Sequence, residues 1–286
     1  MRVFIVSDME GVAGITKWDQ VNGGTSLYEE GRALYTEEIN AAVRGARTAG
    51  ATEIVVMDCH GAGGGWTFNS LIPERLDPGC EFVVQHEWTE YTDLLEQGCD
   101  AALFVGMHAM AGTADGLLSH TVSSSQWTNL SFNGVSVGES GINAALCGQW
   151  GCPVLLVTGD HAVCREAHAL LGEGLTTVSV KTALGRYSAR HVPPTRARQM
   201  IEEGAAAALG DLNAVAPYVP SSPVEITVEF VTQIISRSTD SCRRSRSSTV
   251  ARSSRAPMTG GPPGASSTSS GNAAFLGRSA CDPRRR

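Results

Sequence analysis

From Met1 to about Phe230 the chain alternates short apolar runs with longer amphipathic stretches, the pattern of an α/β fold. Residues 3–7, 53–57, 81–85, 101–106, 154–158 and 178–181 read as strands. The run 101–106 is so apolar that it predicts a strand covered on both faces. Residues 26–47 set Leu27, Leu34, Ile39, Ala42 and Val43 near one helical face, with acids on the other. Stretches 140–148, 161–171 and 195–209 also read as helices, and 92–96 as the end of a short one. Phe132-Asn133-Gly134-Val135 is a hairpin signal, because Asn-Gly accepts the positive φ angles of a two-residue turn. Residues 224–230 alternate at period two and read as an edge or half-exposed strand. The expected architecture is α/β: a mostly parallel central sheet with flanking helices, plus a hairpin-containing insertion.

The character then changes. From Ser236 onward Ser, Arg, Gly and Pro dominate, and only Val250, Met258, Phe275 and Leu276 are suited to a core. Such a segment buries too little apolar surface to offset its ordering entropy, so a disordered basic tail is expected over 232–286. A nucleic-acid-binding tail is another reading of the same composition. The abrupt switch just after a strand also fits a shifted reading frame.

Composition narrows the class. The 286 residues, 42% of them hydrophobic, suffice for a large core without disulfide staples. Eight cysteines without a C-x-x-C pair read as reduced thiols of a cytoplasmic protein. No apolar run approaches the ~18–20 residues of a membrane helix, and the start lacks the apolar stretch of a secretory signal. The net charge of −7 is unevenly placed. Residues 237–286 hold ten arginines against Asp240 and Asp282, a balance of +8, which leaves −15 on the preceding body. So acidic a body argues against nucleic acid as partner and suits metal ions or amine-bearing substrates.

Candidate chemistry gathers at the ends of apolar runs. Asp8 and Glu10 in Asp8-Met9-Glu10-Gly11 lie two apart on an extended chain, so their carboxylates point the same way. Like charges held that close need a cation or a proton, although two solvated loop acids would look the same. Asp58-Cys59-His60-Gly61 and Gly106-Met107-His108-Ala109 follow two further strands. In a parallel sheet all four side chains would meet on one rim, where α/β sheets bind ligands. Imidazoles with carboxylates suit zinc. Ser119-His120-Thr121 offers a ligand, an acid–base or a loop hydrogen bond, and Glu139 in Gly138-Glu139-Ser140-Gly141 a ligand or a helix N-terminal acid. His86, His161, His168 and His191 read as structural, and Asp160 as a cap or a supporting acid.

The ordered set DMEG, DCHG, GMHA, SHT and VGESGINA resembles the zinc-dependent D-aminopeptidase family, from Met1 to about Phe230. The resemblance implies a catalytic domain over 1–231 ahead of the 232–286 tail, and two zinc ions held by Asp8, Glu10, His60, His108 and Glu139. Asp8 would bridge, and His120 would be an active-site histidine that is not a ligand. It further implies hydrolysis of N-terminal D-residues from short peptides by a zinc-bridged hydroxide, and a homo-oligomer, a decamer. Two competitors stand beside it. Val3-Phe4-Ile5-Val6-Ser7-Asp8 resembles the opening of haloacid-dehalogenase-type phosphatases, with Asp8 as nucleophile and Asp160 as the later acid. That leaves His60, His108 and His120 without work, and neither Lys17 nor Lys181 stands where that family needs its lysine. The other is a catalytically impaired metal-binding scaffold.

Overall fold

The computed structural model describes residues 1–86, 91–231 and 250–252. In chain order its elements are β1 (Arg2–Ser7), α1 (Tyr28–Thr48), β2 (Glu53–Asp58), β3 (Glu81–Val83), α2 (Asp93–Glu96), β4 (Ala101–Met107), β5 (Trp127–Phe132), β6 (Val135–Ser136), α3 (Glu139–Gln149), β7 (Val154–Asp160), α4 (His161–Leu171), β8 (Thr176–Gly185), β9 (Ser188–His191), α5 (Pro194–Ala208), β10 (Ile226–Phe230) and β11 (Val250–Arg252).

The apolar runs build one seven-stranded sheet in the order β3-β2-β1-β4-β7-β8-β9. All its pairings are parallel except the β8–β9 hairpin. Every residue of β4 and β7 is buried, as a strand covered on both faces requires. Crossovers are right-handed, and β1–α1–β2 runs the opposite way across the sheet from β7–α4–β8. Hence α1 and α4 cover opposite faces, with α5 packed beside α1. The strand order reverses between β1 and β4. Such a reversal opens a crevice beyond the strands' carboxyl ends.

A second, antiparallel sheet, β11-β10-β5-β6, is the expected insertion. Asn133 and Gly134, at φ 50° and 83°, make the tight turn between β5 and β6. Leu130, Phe132, Val137, Ile142, Ala145, Val224 and Val228 form its own small core against α3.

Of the two readings of 224–230, an edge or a half-exposed strand, the second holds: β10 is partly exposed along most of its length but lies between β5 and β11. Its period-two alternation reports half-burial, which an inner strand of a one-faced sheet shares with an edge strand. β9 was not anticipated, because its residues alternate exposed and half-buried at the margin of the main sheet and carry no apolar run. Of the expected tail, residues 250–252 pair with β10; the remaining 232–249 and 253–286 lie outside the described residues. The six described cysteines are all free.

Candidate metal centre

The crevice between β1 and β4 is where Asp8 and His108 emerge. The chain that leaves β1 is pressed against the end of β4: Asp8 N–H donates to Val105 O at 2.9 Å and Gly11 N–H to Gly106 O at 2.8 Å. Only glycine fits there. A Cβ on Gly11 would lie 1.9 Å from Met107 O, and one on Gly106, which sits at φ +75°, 2.1 Å from Asp8 O.

Lys181 of β8 fixes the rest of this segment. Its buried Nζ donates to Glu10 O at 2.6 Å, Val12 O at 2.7 Å and Ile15 O at 2.9 Å. From α1, Glu38 Oε1 accepts from Ala13 N–H at 2.9 Å. Beyond β2, Asp58 accepts from the backbone N–H groups of His60, Ser70 and Leu71 and from the Tyr35 hydroxyl, which sets the direction in which His60 leaves the strand.

Asp8, Glu10, His60 and His108 are buried and Glu139 is partly exposed at the start of α3. His60 Nδ1 lies 3.0 Å from Asp8 Oδ1 and 3.1 Å from Glu10 Oε2. His108 Nε2 lies 3.3 Å from Asp8 Oδ2 and 3.3 Å from Glu139 Oε1. The opposite ring nitrogens donate to backbone carbonyls: His60 Nε2 to Val21 O at 2.7 Å and His108 Nδ1 to Ala109 O at 2.9 Å. Each imidazole thus offers a lone pair, not a proton, to the cluster once it is neutral, the usual orientation of a metal-binding histidine.

Two observations say that a cation fits. Glu10 Oε2 and His108 Nε2 are buried and close to opposite charges, yet make no aligned hydrogen bond. Atoms that crowd without donor–acceptor alignment are turned toward a shared point. Moreover, one donor atom each from Asp8, Glu10 and His108, and likewise from His108, His120 and Glu139, lie within 4.8 Å of one another. Carboxylate oxygen with imidazole nitrogen is a set that zinc accepts.

Electrostatics follow from this crowding. Burial opposes a charge on His60, but Glu10 and Asp8 outweigh it and hold the imidazole well above its usual range. Glu139 and Asp8 do the same for His108. Burial likewise opposes ionisation of Asp8, and the facing imidazoles of His108 and His60 overcome it, leaving the carboxyl far below its usual range. His120 behaves differently. Burial, and then the charge of His108, push it down, which keeps it neutral near pH 7. Its ring stacks on His108 with centroids 4.0 Å apart and meets the edge of Trp18 at 5.5 Å. His120 Nδ1 donates to Leu118 O at 2.9 Å, so Nε2, 3.7 Å from Glu139 Oε1, is the free nitrogen.

A cavity of about 120 Å³ opens over the cluster, lined by Asp8, Glu10, His60, His120 and Glu139 together with Cys59, Gly61, Phe68, Val122, Ile142 and Asn143. All six sequence-picked residues therefore meet in one place. Trp18, Lys181 and Asn143 were missed. Lys181 carried a usable signal, as one of two lysines in the chain and the sole charged residue of its strand; Trp18 and Asn143 carried none.

The phosphatase reading finds no support. Asp160 caps α4 through Val163 N–H and accepts from Leu117 N–H, and Lys181 is bound to three carbonyls, so neither is free for a phosphate site. Fold and donor set define an α/β protein with a candidate metal centre at the reversal of a parallel sheet. Residues 1–255 match the M55 peptidase family, the D-aminopeptidases, and the chain belongs to that family. A D-aminopeptidase of Bacillus subtilis (strain 168) is 32% identical over 231 residues, 80% of this chain and 81% of the relative. Among solved structures, the Zn-dependent D-aminopeptidase DppA from Bacillus subtilis, described as a self-compartmentalizing protease, superposes with a TM-score of 0.81 at 28% identity, covering 88% of this chain and 90% of that one.

Proposed function

We propose that this chain is a zinc-dependent aminopeptidase that removes N-terminal D-residues from short peptides. Asp8, Glu10, His60, His108 and Glu139 would hold two zinc ions per chain. The carrying observation is that His60 Nδ1 and His108 Nε2 approach opposite oxygens of the same Asp8 carboxylate at 3.0 and 3.3 Å. Bound zinc supplies a Lewis acid for the scissile carbonyl and a water acidic enough to react at neutral pH.

The protein's own groups do the rest. Glu139, held by Val122 N–H at 2.8 Å, keeps its oxygen between His108 and His120. His120, neutral and with Nε2 free, takes the proton released as water adds to the carbonyl and returns it to the leaving nitrogen. The Trp18 edge and the His108 face hold its ring in line for both transfers. The catalytic body is assigned to residues 1–231. No helix of the described residues is long and apolar enough to cross a membrane, and we place the protein in the cytoplasm as a homo-oligomer, a decamer.

The test is bound metal per chain together with hydrolysis of D-alanine and L-alanine amides, before and after chelation. Two zincs per chain and chelator-sensitive cleavage of the D-amide are expected. His60→Ala should lower turnover at least ~100-fold, more than loss of a group merely supporting a ligand costs; undiminished turnover of that variant overturns the assignment. Zinc without hydrolysis would make the chain a metal-binding scaffold.

A further inference from the structure

An aminopeptidase must tell a peptide's free amine from an internal peptide bond, and the metal ligands do not do this by themselves. On the aminopeptidase reading each carboxylate of the cluster is committed to the metal ions. Asp8 faces His60 and His108, Glu10 faces His60, and Glu139 takes Val122 N–H beside His108. One polar side chain in the cavity wall stands apart from this network. Asn143 lines the cavity, and its amide makes no hydrogen bond among the described residues. It follows Glu139 by four residues on α3, so both side chains leave the same helical face.

We propose that the side-chain amide of Asn143 recognises the α-amine of the substrate's first residue, its Oδ1 accepting a hydrogen bond from that amine. The inference rests on the aminopeptidase reading and deepens it. Asn143 suits the role on three grounds. Its acceptor is neutral, so it does not compete with the carboxylates for zinc. Its position one turn beyond Glu139 puts the amine beside the reacting carbonyl, as cleavage after the first residue requires. The lining also includes apolar Ile142, the preceding residue on α3, and Phe68. Beside apolar surface a hydrogen bond to a charged amine is worth more than in water.

The test uses full-length, zinc-loaded protein and two probes: D-alanine p-nitroanilide, and propionyl p-nitroanilide, which lacks the amine. Asn143→Leu, of similar size, should raise KM for the D-alanine anilide on the order of 10- to 100-fold with kcat little changed. Asn143→Asp, which restores the acceptor, should bring KM back toward the parent value. Asn143→Leu should not alter inhibition by the propionyl compound, zinc per chain or melting temperature. Asn143→Leu with unchanged KM overturns the proposal, as does an equal loss for the propionyl compound, which would mark a role in cavity shape alone. A fall in kcat at constant KM overturns it too, by placing Asn143 on the carbonyl. If the parent protein cleaves the D-alanine anilide in these cases, the aminopeptidase reading stands and only the Asn143 assignment falls. If the parent cleaves nothing, both fall together.

Discussion

His60 and His108 each give one ring nitrogen to a backbone carbonyl, and that choice decides which nitrogen faces Asp8. The backbone around them is held at a cost. Phe68, Leu118 and Val122 sit at φ 56°, 51° and 60°, where a β-branched residue such as Val122 is a genuine outlier. Phe68 and Val122 line the cavity and Leu118 receives the His120 proton donor, so the strain is concentrated at the site. Val122→Gly should relieve ~1–2 kcal/mol of left-handed strain against ~0.5–1 kcal/mol of added chain entropy. A small gain in the denaturant midpoint is therefore expected, with reduced turnover, because the N–H held on Glu139 becomes looser; a destabilised, fully active variant would refute this. Five of the six site residues could be picked from the sequence because each follows an apolar run or opens a helix; His120, in a polar stretch, came only with the ordered set of motifs. Asn143 could not, since a polar residue on α3 looks the same whether it faces a cavity or solvent.

At the level of elements, the segment from Asp8 to Ile15 has no regular structure and is held by its neighbours. Lys181 from β8 serves three of its carbonyls and Glu38 from α1 one of its N–H groups. Lys181→Met would leave three buried acceptors without a donor. It should cost at least ~3 kcal/mol in urea unfolding and weaken zinc binding by displacing Glu10, at ~1–3 kcal/mol per unsatisfied group. Glu38 sets a pH signature. Burial raises its carboxyl from an ordinary 4.5 to about 7, against the pull of the Ala13 N–H and Lys181. The folded protein then binds more protons than the unfolded chain between these values, so this group's contribution makes stability fall as pH rises from 4.5 to 7. Glu38→Gln should flatten that slope by roughly 3 kcal/mol over the interval, measured by urea unfolding at a series of pH values; an unchanged slope would show that Glu38 titrates normally. The strands and helices of the body were readable from period and apolar runs. This segment was not, because its conformation is set by contacts 25 to 171 residues away in sequence.

For the whole molecule, every donor of the proposed metal centre lies between residues 8 and 139, ahead of the Arg-rich segment and of β10. A protein ending at Val231 should therefore keep two zincs per chain. It would lack β11 and so expose one edge of β10, and should associate more readily than the full chain in light scattering. Loss of zinc on truncation would instead tie the metal centre to residues beyond 231. The fold class and the meeting of the candidate ligands on one rim were legible because a parallel sheet turns dispersed strand ends into neighbours. The partner of β10 was not, since a three-residue strand in an Arg/Ser-rich stretch carries no periodic signal.

The distance between Glu10 and Lys181 along the chain also bears on how the enzyme acquires its ions. During translation all five donors leave the ribosome before the lysine that clamps Glu10, and domains complete their folding as units. A nascent chain halted just before Lys181 would present the full complement of donors without the clamp on Glu10, and should capture zinc weakly. Tight loading would come in a single late step, when β8 docks and the loop after β1 is drawn shut.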